Sequence, residues 1–203
     1  ACAPFRRLSL CNRNLVKMET TKITDKNDLL LDVCLAAKHE GETLTTQHGK
    51  HQLTYTDSPS QLCTVLARSF ADIGDIVRGK DLYLGGNKKE KNRRDELEKK
   101  LKEIFENIKK SDAKLTDLND DQIREYWWEA NRKQIWQAIT CSEKLANYKY
   151  FRPTCSDGKG ICSQANKYCR CNDDNPDDDN PNTDPPTYFD YVPQFLRWFE
   201  EWA

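Results

Sequence analysis

Residues 58–83 (SPSQLCTVLARSFADIGDIVRGKDLY) constrain the fold more than any other part of the chain. Leu62, Val65, Leu66, Phe70, Ile73, Ile76 and Val77 recur at helical spacing and mark a helix with one wide apolar face. Ser58 as cap, Pro59 in the first helical position and Gln61 closing a capping box predict its start. Gly79, just past Arg78, predicts its stop. Between the apolar positions lie Arg68, Asp72, Asp75 and Arg78, spaced so that acids and bases meet on neighbouring turns. Such a helix needs apolar partners on more than one side.

The downstream sequence supplies them. After a Gly-Gly hinge, residues 88–110 read as a charged helix with a narrow stripe of Leu97, Leu101, Ile104, Phe105 and Ile108. A third helix, capped by Asp120 or Asp121, carries Ile123, Trp127, Ala130 and Ala138 on one stripe, with Trp128, Ile135 and Ile139 alongside. An arc that wide suits a bundle interior. Its tryptophans are read as core rather than as a sugar-stacking platform. The last helix starts near Asp190, tolerates Pro193 in its first turn and is expected to bury Val192, Phe195, Leu196, Phe199 and Trp202. Residues 1–57 read as irregular and polar, except for a short helix over 28–38 capped by Asn27 or Asp28. His39, His48 and His51 are expected as solvated loop histidines. The expected fold is mainly α, with an irregular first part at 1–57 and a helical bundle at 58–203.

Composition narrows the function classes. Lys+Arg 32 against Asp+Glu 33 leaves a formal net charge of -1, which argues against a nucleic-acid partner. No apolar run is long enough to cross a bilayer and no signal-peptide pattern opens the chain. The sequence stops within the last amphipathic helix, so a fragment of something longer is expected. There is no phosphate-cradling glycine loop, no metalloprotease helix and no Cys–His pairing, so no catalytic residue, metal or cofactor is assigned. Residues 172–186 (NDDNPDDDNPNTDPP) lack the glycine and terminal glutamate of a calcium-binding loop and are expected as an exposed loop.

Nine cysteines point to an oxidising compartment: Cys2, Cys11, Cys34, Cys63, Cys141, Cys155, Cys162, Cys169 and Cys171. Gaps of six, six and one among the last four do not match paired zinc knuckles, so disulfides are the preferred reading. Cys141, Cys155, Cys169 and Cys171 are expected in bridges, and no partner is assigned to Cys162. The odd count leaves one cysteine unpaired or bonded outside the chain. Spacing does not fix the connectivity.

Three blocks carry a family resemblance: ARSFADIGDIVRGKDLYLG at 67–85, REYWWEANRKQIWQAITC at 124–141 and DYVPQFLRWFEEWA at 190–203. With CAPFRRLSLCNRNL, LAAKHEGETL and LTYTDSPSQLCTVL, they resemble the alpha-type Duffy-binding-like domain of the Plasmodium falciparum erythrocyte membrane protein family, products of the var genes. The resemblance spans nearly the whole chain. It implies a disulfide-stabilised, mainly helical adhesion domain with a mixed first subdomain and a helical second one, lacking the upstream segment and third subdomain. It further implies display on the infected red-cell surface and recognition of host receptors such as heparan sulfate, blood-group glycans or complement receptor. A neighbouring cysteine-rich interdomain region and antibodies are further implied partners. The rival reading is a scaffold with a variable antigenic surface.

A sulfated glycan would be met by clustered bases. From Lys88 to Lys110 there are ten bases against six acids. The candidates are Lys88, Lys89, Lys91, Arg93 and Arg94, followed by Lys99, Lys100 and Lys102. Arg6, Arg7, Arg78 and Lys80 are the alternative set, lying in the blocks that carry the resemblance. A solvated helix face is the competing reading for the first set.

Overall fold

The computed structural model describes residues 2–23, 25–52, 59–156, 162–165, 167–171 and 184–203, without side chains at 49–52, 59–60 and 156. The expected cap Ser58, the ring of His51 and the acidic stretch up to residue 183 lie outside these residues.

The apolar periodicity of 58–83 becomes α4 (Pro59–Val77), with Leu62, Leu66, Phe70, Ile73 and Val77 buried. Gly79 takes a φ of 72°. The Lys80 amide donates to the Asp75 carbonyl at 2.8 Å and the Gly79 amide to Ile76 at 3.2 Å, a left-handed cap that ends the helix where the glycine predicts. Upstream lie two single-turn helices, α1 (Phe5–Leu8) and α2 (Arg13–Val16).

The reading of 1–57 as mostly irregular is corrected by α3, which runs over Lys26–Gln52, well beyond the expected 28–38. Its cap is Asp25, whose carboxylate accepts from the amides of Asn27 at 2.6 Å and Asp28 at 3.2 Å, not Asn27 or Asp28 themselves. Gly41 does not interrupt α3. It is the point of closest approach to the third long helix, α6 (Asp120–Ile139), and a Cβ there would stand 1.9 Å from the Ile139 carbonyl oxygen. His39 is therefore on a helix, beside Glu42, and His48 packs edge-on against Tyr148. Neither is a loop residue.

Helix α6 is the axis against which α3, α4 and α5 (Lys88–Ser111) pack. Its cap is Asn119 rather than either aspartate, in a complete capping box with Gln122. Trp127, Trp128 and Trp136 are all buried, as is the stripe Leu97, Leu101, Ile104, Phe105 and Ile108 of α5. Phe70 packs against Trp128 and Trp136 at 5.1 and 5.3 Å between centroids, and Phe105 meets Trp127 edge-on at 6.0 Å. Ala130, assigned to the inner stripe from its spacing, is exposed.

The last helix, α7 (Gln194–Trp202), is turned around relative to its expected face. It buries Gln194, Arg197 and Trp198, while Val192, Phe195, Leu196, Phe199 and Trp202 are 37–68% exposed. Asp72 and Asp75 of α4 explain the inversion. Arg197 donates to Asp72 at 2.8 Å and also pairs with Asp75, and Gln194 donates to Asp72 at 3.1 Å. Two buried carboxylates require paired partners, and this requirement outweighs burial of the apolar stripe.

Candidate functional site

The structure sorts the twelve candidate bases by whether their charge is already used. Arg6 bridges Asp72 and Glu201, each at 2.8 Å, and Arg7 pairs with Asp81. Arg78 pairs with Asp75 at 3.1 Å and Glu125 at 3.4 Å, and Lys80 pairs with the same Glu125. Arg6, Arg7 and Arg78 are thus struts between α1, α4 and their neighbours rather than surface charges. Lys100 is held by Glu96 and donates to the Val16 carbonyl at 2.6 Å; Lys102 leans on Glu98. Arg94 donates to the Gly85 carbonyl and lies over the Tyr83 ring. Lys88, Lys89, Lys91, Arg93 and Lys99 remain exposed, and among the described residues none has an ion pair.

Asn87 positions this group. Its side chain accepts from the Glu90 amide at 3.0 Å and starts α5, so Lys88, Lys89 and Lys91 occupy the first turn. Three bases at the positive end of a helix dipole repel it and one another, a local cost that an anionic ligand would relieve.

Beside this turn lies a cleft of about 470 Å³ between the α1–α2 segment and α5. Arg13 and Lys17 stand on its far wall and Arg93 and Arg94 on its near wall, with Tyr83 between. Lys100 fixes the spacing of the walls through its bond to Val16. Arg13 and Lys17 were missed in sequence because they lie far along the chain from the basic stretch at 88–110, and only α2 packing on α5 brings them in. Toward the end of α4 the groove continues into a second hollow, lined by Ile76, Gly79, Asp81, Asp95 and Glu98, where the bases are matched by acids.

A buried charge cluster joins α4 to the residues before and within α7. Asp190 accepts from Trp128 at 2.9 Å and from Arg132 at 2.8 and 2.7 Å. Burial pushes Asp72 up, but Arg6 and Arg197 prevail and hold it below its ordinary value. Burial prevails at Asp75 despite Arg197 and Arg78, raising it to about 6.

Cys63 bonds Cys169 and Cys155 bonds Cys171, next to the antiparallel pair β1 (Cys155–Ser156) and β2 (Cys162–Ser163). Cys2, Cys11, Cys34, Cys141 and Cys162 are thiols. The expected bridge at Cys141 is therefore corrected: Cys169, Cys155 and Cys171 pair among themselves and with Cys63, and Cys141 stands exposed at the end of α6. Among the described residues no cluster of three or more His, Cys, Asp and Glu side chains is arranged to hold a metal ion.

The helical bundle, its two disulfides and this arrangement of blocks place the chain in a known class. The chain belongs to the Duffy binding domain family, whose sequence model matches residues 1–197. Within that family it is similar to the NTS-DBL1(alpha-1) domain of Plasmodium falciparum membrane protein 1 from the varO strain. The two are 37% identical with a TM-score of 0.77, over all of this chain and 43% of that one. A PfEMP1 DBLβ domain solved bound to human ICAM-1 is 26% identical with a TM-score of 0.61, over 97% of this chain and 38% of that one. The Duffy receptor beta form of Plasmodium knowlesi is 24% identical over 212 residues, covering all of this chain and 14% of the relative. The chain thus spans well under half the length of these relatives.

Proposed function

We propose that this chain is part of an extracellular adhesion domain that binds host-cell receptors from the surface of an infected red cell. Its ligand class is a sulfated glycan of the heparan sulfate type. The observation that carries the reading is the uncommitted set Lys88, Lys89, Lys91, Arg93 and Lys99, left without acids while the other candidate bases hold the fold together. The ICAM-1-bound DBLβ relative supports receptor binding by domains of this architecture. Among the described residues no helix is long and apolar enough to cross a membrane. In this reading the chain divides near residue 57 into a first subdomain, present in part, and a helical second one.

The scaffold reading is favoured by one observation: Lys100 and Lys102 are neutralised along the helix by Glu96 and Glu98. A heparin column decides between them. The triple variant K88E/K89E/K91E should elute at lower salt than the wild type with unchanged helicity. Equal elution from a folded variant would favour the scaffold.

A further inference from the structure

We infer that the cleft between α2 and α5 is the seat of an anionic sugar, with Arg13 and Lys17 as ligand-contacting residues opposite Arg93. The inference rests on the glycan-binding reading and adds a second wall to it. Arg13 and Lys17 are exposed and, among the described residues, neither is in an ion pair, and Arg93 across the cleft is in the same state. Glu90 is the one acid lining the cleft. Like charges facing each other across a concave, partly desolvated surface focus a positive field there, and an anion between the walls removes the repulsion.

The volume falls within the range of small-ligand sites. The cleft is held open rather than collapsed. Lys100 ties α2 to α5 at one end, while Arg7 is pinned by Asp81 and lies 5.0 Å from the centroid of Tyr83. Arg94 lies 4.7 Å from the same ring. The bases that shape the cleft are thus distinct from those free to meet a ligand. Ser9 and Asn12 add hydroxyl and amide groups to the lining, which suit sugar hydroxyls better than a bare phosphate chain. The adjoining hollow offers no free base, since Arg7 is paired with Asp81 and Arg94 is held by Gly85 and Tyr83, so the chain of the ligand leaves the cleft past Arg93 toward Lys89.

The test measures binding of a size-defined heparin hexasaccharide as a function of salt. R13Q/K17Q should flatten the log–log salt dependence by about 2, one counterion for each lost contact. K144Q/K149Q removes the same net charge on exposed residues that do not line the cleft and should leave the slope unchanged. Equal slopes for both pairs would overturn the cleft assignment. Weaker binding by K88E/K89E/K91E with no effect of R13Q/K17Q would overturn it while leaving the glycan reading intact. A wild-type chain that does not bind the hexasaccharide overturns both. A polyphosphate of matched charge separates the sources of anion, and tighter binding of it than of the hexasaccharide would overturn the sugar assignment.

Discussion

Arg197 of α7 reaches across to Asp72 of α4 at 2.8 Å, both side chains being almost wholly buried. The same guanidinium pairs with Asp75 one turn along. This contact, more than any apolar one, decides how α7 lies on the bundle.

Replacing Arg197 with leucine leaves Asp72 and Asp75 buried without their shared partner. Breaking a buried pair from one side costs about 3–5 kcal/mol. Urea unfolding of R197L should show a loss of that size, and a near-wild-type midpoint would show that α7 is held by its other contacts.

The two acids respond to pH in opposite senses. Asp75, raised to about 6, takes up a proton in the folded chain before it does so in the unfolded chain, where its value is near 3.8. Its contribution to stability therefore grows as pH falls from about 6 toward 4. Asp72 is held below 3.8, so its contribution is full above that value and disappears as pH falls further. Urea midpoints between pH 4 and 8 should separate wild type from D75N: the variant lacks the acid-side gain. Parallel profiles for the two would contradict the assignment to Asp75.

Gly41→Ala should destabilise the chain although alanine is the better helix former by about 1 kcal/mol. The added carbon meets the backbone of Ile139 at 1.9 Å, and backbone yields less readily than a side chain. A net loss of about 1–3 kcal/mol is expected on the scale of overpacked cores. Thermal melting of G41A with a raised midpoint would show that α3 and α6 are spaced more loosely.

Thiol labelling of the native chain should divide the cysteines into three groups. Cys2, Cys141 and Cys162 are exposed and should react readily. Cys11 and Cys34 should lag, since burial raises both thiols, Cys34 to about 11, and lowers the reactive thiolate fraction. Cys63, Cys155, Cys169 and Cys171 should be protected until reduction. Intact mass after alkylation reads the groups directly, and a protected Cys141 would restore the bridge expected from the sequence.

The large apolar periods were legible because burial there follows spacing: Phe70, Leu101, Trp127 and Trp128 all face the core that their periodicity assigns. Two failures have a common cause. The helix expected over 28–38 stops short of Gly41, and the last helix is expected to bury its apolar stripe, because both expectations rest on local preference alone. In each case a partner distant in sequence decides the outcome, the Ile139 backbone for the glycine and the α4 carboxylates for α7. The candidate bases show the same limit. Composition marks Arg6, Arg78 and Lys88 alike as cations, and only the positions of Asp72, Asp75 and Glu125 separate struts from free charge. Arg13 and Lys17 gave no signal at all until α2 was seen against α5.

The Cys63–Cys169 bridge also has a mechanical meaning. It closes a span of 106 residues. At roughly 3.4 Å per extended residue that is on the order of 360 Å of chain withheld from stretching. Neither bridge reaches the helices before residue 59 or the helix after residue 193. Tension carried along the chain therefore peels α3 and α7 while the residues between Cys63 and Cys169 stay out of the path of the load.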